Sequence, residues 1–264
     1  MDALVTAAAL QRLLQSGNPP LVVDVRRKPA FIGSREMVRG ALRRDPARLS
    51  DWAAALAPGA QVVVYCEHGH EVSQGVARAL EALGARARYL EGGLEAWRSA
   101  GGGIARKPGG AATRWVTRER PKIDRIACPW LIRRFIDPEA EFLYVPAPEV
   151  RSVAAERDAL PYDIPEVKFS HEGERCSFDA FLDAYRLHNP ALDELALVVR
   201  GADTAKLELA PQAAGLAAIS IGLSRLYRDD HEMLEHGMVL YDALYAWCAQ
   251  GKNELHTWNP APGR

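Results

Sequence analysis

The chain has 264 residues, 48% apolar and 25% charged, with a net charge of −1. That is enough for one large domain or two ordinary ones with full cores, and the near-neutral balance gives the whole molecule no drive toward nucleic acid or an anionic membrane. No uncharged apolar run reaches the length a membrane-spanning helix needs, and the opening MDALVTAAALQRLLQSG lacks the basic start and long apolar centre of a secretion signal.

Leu4, Ala8, Leu10, Leu13 and Leu14 recur at helical spacing and predict an amphipathic helix that stops at Gly17. NPP then turns the chain into LVVDV (21–25), a short apolar run of the kind buried on both faces of a sheet. A polar stretch with Pro29 and Gly33 leads to VRGAL (38–42), and residues 49–56 predict a helix closed by PGA. QVVVYC (61–66) is the second buried strand and SQGVARALEALG (73–84) a helix ended by Gly84. ARARYLEGG supplies a third strand and LEAWRSAG a last short helix. Strands alternating with helices imply crossover connections and a parallel sheet, so residues 1–104 are expected to form an α/β domain.

GGGIARKPGGAAT (101–113) holds five Gly and one Pro and interrupts every pattern. Residues 105–113 are therefore expected to be a linker. Residues 1–112 carry a net charge of +5 and residues 113–264 a net charge of −6, which supports two bodies with complementary fields.

Residues 114–264 read as a mostly α-helical (α+β) domain. PWLIRRFID predicts a helix with Pro129 in its first turn, EFLYVP a short strand, and VKFSHEGERCSF (167–178) a hairpin turning near Gly173. Four helical stretches follow: FDAFLDAYRL, ALDELALVVRGA, QAAGLAAISIGLSRLY and DHEMLEHGMVLYDALYAWCAQG. The tail NELHTWNPAPGR is expected to be irregular.

The four cysteines, Cys66, Cys128, Cys176 and Cys248, include no CxxC pair. Reduced thiols in a cytoplasmic setting are the economical expectation. Cys66 is the notable one, because it ends a strand and precedes a helix. Unpaired backbone N–H groups and the helix dipole at such a turn stabilise negative charge, whether on a thiolate, a terminal persulfide sulfur or a tetrahedral oxyanion. The alternative is a small buried cysteine without reactivity.

The pieces LVVDVR (21–26), VRGAL (38–42), VVVYC (62–66), GVARALEALG (75–84) and YLEGGLEAW (89–97) resemble a rhodanese domain, in order, over about the first hundred residues. The resemblance implies that Cys66 is the catalytic cysteine and carries a persulfide, with Asp24 and Arg26 as scaffold. Its partners would be a small-molecule sulfur donor and a thiol acceptor, and no cofactor is expected. The anion-binding loop would be Glu67, His68, Gly69, His70, Glu71, Val72 and Ser73. An ordinary rhodanese loop has Arg or Lys five residues after the cysteine and then Ser or Thr; here Glu71 holds that place and Ser73 comes seven residues after Cys66. The loop is thus one residue longer and resembles those of rhodanese-fold phosphatases and arsenate reductases, yet Val72 stands where those carry Arg. His68 and His70 could supply part of the missing charge, whereas Glu67 and Glu71 oppose it.

In the second half, TRERPKIDRIACPWLIRRFIDPEAEFLYVP (117–146), FSHEGERCSFDAFL (169–182), VRGADT (199–204), LAPQAAGLAAISIGLSR (209–225) and DDHEMLEHGMVLYDALYAWC (229–248) resemble the C-terminal domain of ChrB-type chromate-resistance proteins. The resemblance implies the handling or sensing of chromate, a tetrahedral oxyanion. Lys122 and Arg125, within a basic stretch, could bind such an anion near a helix start, or could belong to a solvated basic face. His171, Asp203, His231 and Glu235 could converge on a metal, or could be ordinary helix-surface charges. HEMLEH (231–236) is not a zinc-protease motif, because Glu235 stands in place of the second His. Three functions are compatible with these residues: a sulfurtransferase tied to chromate resistance, a non-enzymatic oxyanion-responsive sensor, and a thiol-dependent oxyanion reductase. Neither a membrane nor nucleic acid is expected as a partner.

Overall fold

Five short strands, all parallel, form the spine of the first half in a computed structural model that describes residues 3–54, 56, 59–107 and 113–251. Leu4–Val5 (β1) precedes Ala7–Leu14 (α1), and Leu21–Asp24 (β2) precedes Lys28–Gly33 (α2). Glu36–Val38 (β3), Leu42–Arg43 (β4) and Leu49–Ala53 (α3) lead to Gln61–Tyr65 (β5), Glu71–Ala82 (α4), Arg86–Leu90 (β6) and Gly93–Ser99 (α5). The sheet order is β1-β6-β5-β2-β4. β5 and β2 sit inside the sheet, in register Val23↔Val64 and Asp24↔Tyr65. Their valines alternate as strand geometry requires. Val22 and Val63 join Leu10 of α1 with Leu94 and Trp97 of α5 on one face. Val23, Val62 and Val64 join Ala53, Val76, Ala77 and Leu80 on the other. Leu4 belongs to β1 rather than to the first helix, because its backbone pairs with Tyr89 of β6, and Thr6 caps α1.

The second half carries a smaller parallel sheet beneath its helices. Arg114–Arg118 (β8) lies between Glu141–Val145 (β9) and Leu160–Pro161 (β10). Around it pack Asp124–Leu131 (α6), Val150–Glu156 (α7), Ser177–Tyr185 (α8), Pro190–Asp203 (α9), Ala213–Leu226 (α10) and Asp230–Ala246 (α11). Trp115 and Trp130 are fully buried, and the Phe169 and Phe181 rings stack at 4.3 Å.

Three further details differ from the sequence expectation. Pro129 lies inside α6, not in its first turn, since the helix already begins at Asp124. An interior proline removes a ladder hydrogen bond, and the helix passes into a π-helical turn at Ile132–Ile136. Residues 167–178 do not form a hairpin. Gly173 does turn the chain at φ +59°, but the two arms share a single bridge, Glu172 to Arg175, before α8 begins. The glycine-rich stretch, finally, is packed as far as residue 107. Ile104–Arg106 (β7) pairs antiparallel with β3, Ala105 is fully buried, and the Trp97 indole N–H donates to the Gly103 carbonyl at 2.9 Å. Gly102 lies flat against the Trp97 ring, where a Cβ would come within 2.2 Å of it. Lys107 is 5% exposed with its ammonium over the Phe31 ring, and burial together with Arg26 brings its pKa down to about 8. Of the expected linker, residues 108–112 lie outside the described residues, as does the tail from 252 onward.

One apolar cluster runs from Leu10, Met37 and Trp97 through to Trp115, Trp130 and Phe181. The two halves therefore share a core. Across their boundary Lys28 pairs with Glu139 at 2.8 Å.

Candidate functional site

Cys66 follows β5 directly, and α4 begins five residues later. The loop between them closes on the head of α5. The Leu94 N–H donates to the Cys66 carbonyl at 3.0 Å and the Glu95 N–H to the Glu67 carbonyl at 3.2 Å. Glycine makes this approach possible. A Cβ on Gly93, at φ +60°, would lie 2.3 Å from the Cys66 carbonyl oxygen, and one on Gly69, at φ +71°, would lie 2.6 Å from that of Leu90.

Under the loop, the Arg26 guanidinium is bound by both oxygens of Asp24 and reaches the Glu67 carboxylate at 3.2 Å. Burial disfavours its charge, but Asp24 outweighs burial and raises the Arg26 pKa. Tyr65 donates to Asp24 at 2.8 Å and accepts from the Val38 N–H at 3.0 Å. Asp24 and Arg26 thus act as the frame that fixes Glu67 and the strand ends.

The Cys66 side of the loop opens into a bowl of about 520 Å³. Its wall includes Arg26, Arg27, His68, His70, Val72 and Gln74. The Cys66 Sγ lies 3.2 Å from the Ser73 hydroxyl, and Cys66 as a whole is 8% exposed. Ser73 Oγ in turn donates to the His70 carbonyl at 3.2 Å, and Gln74 donates to the Gly69 carbonyl at 3.0 Å. Among the described residues, no backbone N–H from Glu67 to Ser73 donates to a carbonyl in a turn or loop. The first-turn amides of α4 have no intrahelical partner by geometry. His68 stands 3.3 Å from Glu95, and its ring is 5.7 Å from that of His70. Such a site offers a thiol, a hydroxyl, unspent amides and one exposed cation, Arg27, which has no ion-pair partner among the described residues.

A second cluster lies in the other half. His171 Nε2 is 3.3 Å from Asp124, 3.4 Å from Asp163 and 3.2 Å from Asp203. Asp124 and Asp163 are buried, and so is Cys176, which caps α8. The hydrogen bond with Asp124, helped by the surrounding carboxylates, takes His171 up to about 9 against the opposing effect of burial. Burial and the charge of Asp124 take Asp203 up to about 7. Burial and Asp124 likewise push the Cys176 thiol well above its ordinary value.

The family model of the ChrB C-terminal domain matches residues 115–248, just over half of the chain. The chain belongs to that family. A rhodanese-like domain model matches residues 6–100, in agreement with the five-stranded parallel sheet and its flanking helices. Protein ChrB of Cupriavidus metallidurans is 39% identical over 133 residues, which are 50% of this chain and 39% of that protein. The chain thus spans about two-fifths of that relative's length. Among solved structures, the rhodanese-related protein of Thermoplasma volcanium is 23% identical, covering 38% of this chain and 94% of its own, with a TM-score of 0.33. A rhodanese-like domain protein from Staphylococcus aureus is 26% identical over 37% of this chain and 91% of its own, with a TM-score of 0.33.

Within the ChrB domain the sequence candidates separate. His171 and Asp203 meet, but His231 and Glu235 are elsewhere on α11. His231 packs edge-on to the Tyr144 ring at 5.5 Å, and Glu235 pairs with Arg133 at 2.7 Å. Asp124 and Asp163 stand beside His171, while Cys176 gathers with Asp124 and Asp203. Lys122 and Arg125 have different surroundings. Arg125 pairs with Asp163 at 3.2 Å and donates to the carbonyls of Arg118 and Glu119, while Lys122 is exposed. In the rhodanese-like half, Arg27, Ala30 and Gln74 are the wall residues that sequence reasoning missed. Arg27 could have been found from its place just past the end of β2, beside Arg26. Asp163 carries no such signal, since its partners Asp124, Arg118 and Arg125 are distant in sequence.

Proposed function

We propose that this chain is a rhodanese-type sulfurtransferase with Cys66 as its nucleophile, working in a chromate-resistance context through its ChrB domain. The observation that carries the reading is the setting of Cys66: at the edge of an open bowl, against the Ser73 hydroxyl, at the head of a helix whose first amides are unspent. The Cys66 thiolate attacks the outer sulfur of a donor such as thiosulfate. A new S–S bond forms to Sγ, the donor's S–S bond breaks, and sulfite leaves with the electron pair. The terminal sulfur of the persulfide carries the negative charge, which the amides at the head of α4 stabilise. An acceptor thiolate then attacks that sulfur and releases Cys66. Arg27 supplies the cation that Val72 does not, and so takes the place of the missing loop arginine in drawing in a dianionic donor.

None of the four cysteines is in a disulfide, which suits a reducing compartment and, with it, a cytoplasmic location. Among the described residues no helix is long and apolar enough to cross a membrane. The test is thiosulfate-to-cyanide transfer by wild type, Cys66→Ala and Arg27→Ala. Transfer should vanish in Cys66→Ala, and Arg27→Ala should raise KM roughly tenfold, the worth of one charge-assisted contact. Transfer that survives Cys66→Ala overturns the persulfide mechanism. An unchanged KM in Arg27→Ala removes the compensating role of Arg27.

A further inference from the structure

The second half gathers five metal-ligating side chains from separate segments around Asp124. Asp124 opens α6, Asp163 follows β10, His171 precedes the Gly173 turn, Cys176 caps α8, and Asp203 ends α9. Their donor atoms form two triads that share Asp124: Asp124, Asp163 and His171, and Asp124, Cys176 and Asp203, each within 4.8 Å.

Charge balance separates the five. Asp163 is neutralised by Arg118 at 2.7 Å and Arg125 at 3.2 Å. Asp124 and Asp203, among the described residues, have no Lys or Arg ion-pair partner; the ion-pair partner of each is His171, and Asp124 also accepts from the Ser177 N–H at 3.3 Å. Asp124 is 2% exposed, so its charge is costly without a cation. A protonated His171 is a poor answer to this arrangement. Its Nε2 bears one hydrogen, yet three carboxylate oxygens crowd that nitrogen at 3.2, 3.3 and 3.4 Å. One hydrogen satisfies one oxygen, whereas a cation between the donors satisfies all of them.

The spacing fits such a cation. Nitrogen and oxygen ligands about 2.0–2.2 Å from a tetrahedral zinc ion lie about 3.3–3.6 Å from one another. His171 Nε2 stands 3.3 Å from Asp124 and 3.2 Å from Asp203. Calcium and magnesium take oxygen donors, so a thiol and an imidazole in the set favour a borderline transition metal. His171 is exposed while Asp124 and Cys176 are buried, which leaves an entry path on the imidazole side.

We propose that Asp124, His171, Cys176 and Asp203 form a binding site for a divalent transition-metal ion of the zinc class, with Asp163 held beside it by Arg118 and Arg125. Binding displaces the Cys176 proton and draws the four segments together. The site is independent of the sulfur-transfer reading, since it shares no residue with the Cys66 bowl.

The test uses the full chain, reduced and stripped with a chelator, then titrated with Co²⁺ and, in competition with a chromophoric chelator, with Zn²⁺. One equivalent should bind, with a thiolate-to-cobalt charge-transfer absorption that disappears in Cys176→Ser and persists in Cys66→Ser. Asp203→Asn and His171→Ala should each weaken Zn²⁺ binding by roughly tenfold or more, whereas His231→Ala should leave it unchanged. The proposal is overturned if the folded, stripped wild type binds no metal, if the absorption follows Cys66, or if Asp203→Asn and His171→Ala bind as tightly as wild type. Should Cys176→Ser fail to fold, the exposed His171 decides the matter through His171→Ala.

Discussion

Cys66 and Cys176 occupy the same kind of place in the chain, each just before a helix, and meet opposite surroundings. Cys66 faces a hydroxyl and a bowl whose wall mixes Arg26 and Arg27 with Glu67 and Glu71. Cys176 faces Asp124, Asp179 and Asp203, and burial with these carboxylates holds its proton on. A helix N-terminus favours an anion by only about 0.3–1 kcal/mol in ordinary settings, less than the effect of a facing carboxylate in a dry site. The helix end therefore does not decide what a cysteine does; the charges brought to it by the rest of the fold do. On the readings proposed above, one region receives an anion and the other a cation.

The largest effect expected from this contrast is in thiol chemistry. Brief alkylation of the native chain, read by mass spectrometry, should modify Cys66 first and leave Cys128 and Cys176, both buried at 0–1% exposure, intact until the chain unfolds. Equal labelling of Cys66 and Cys176 in the folded protein would erase the contrast.

Next in size is the closure of the Cys66 loop. Gly93→Ala places a Cβ 2.3 Å from one carbonyl oxygen and 2.6 Å from another, at a positive φ. It should cost about 2–3 kcal/mol in denaturant melts and distort the bowl. Gly75→Ala is the counterpart, since a Cβ there meets open space within α4. It should stabilise the chain by about 0.4–1 kcal/mol. Destabilisation of equal size by both would mean that the close approach to Gly93 is not what matters.

Val72→Arg tests whether charge limits the bowl. A guanidinium added to its wall should lower the KM for thiosulfate by about tenfold, the equivalent of about 1.4 kcal/mol. No change would mean that Arg27 already supplies all the charge the donor needs.

The smallest effect is at the surface of the ChrB domain. Burial lowers the His188 pKa, but its bonds to Asp193 and Asp183, both 2.6 Å, outweigh burial and leave it raised. A raised folded value means that the stabilisation is complete below the ordinary histidine pKa of about 6.5 and is lost as pH rises through the higher folded value. His188→Asn should therefore cost under about 1 kcal/mol at pH 6 and less at pH 9, because these groups are half exposed. A cost that grows with pH would reverse the sign of this coupling, and would show that the exposed ion pairs of this half do not behave as its buried ones do.

Much of the rhodanese-like half was legible in the sequence because its physics is local. Buried parallel strands leave continuous apolar runs, such as LVVDV and QVVVYC, and helices leave a repeating stripe, so β2, β5 and α4 lie where they were expected. Cys66 was legible for the same reason, since a strand end before a helix start needs only neighbours in sequence. The packing of residues 101–107 was not, because a glycine-rich run looks the same whether it is loose or pressed flat against a tryptophan. Nor was the full acidic cluster. His171 and Asp203 could be suspected by residue type, but Asp124 and Asp163 are 47 and 8 residues from His171, with α6 and the end of β10 setting where they point. Their convergence depends on how α6, α8 and α9 cross over the small sheet. The sequence by itself determined the buried strands and main helices of the first half and the thiol at the end of β5, because those follow from periodicity and covalent neighbours. The tertiary structure alone decided which charges face each thiol, because electrostatic energy depends on distance through space and the sequence records only distance along the chain.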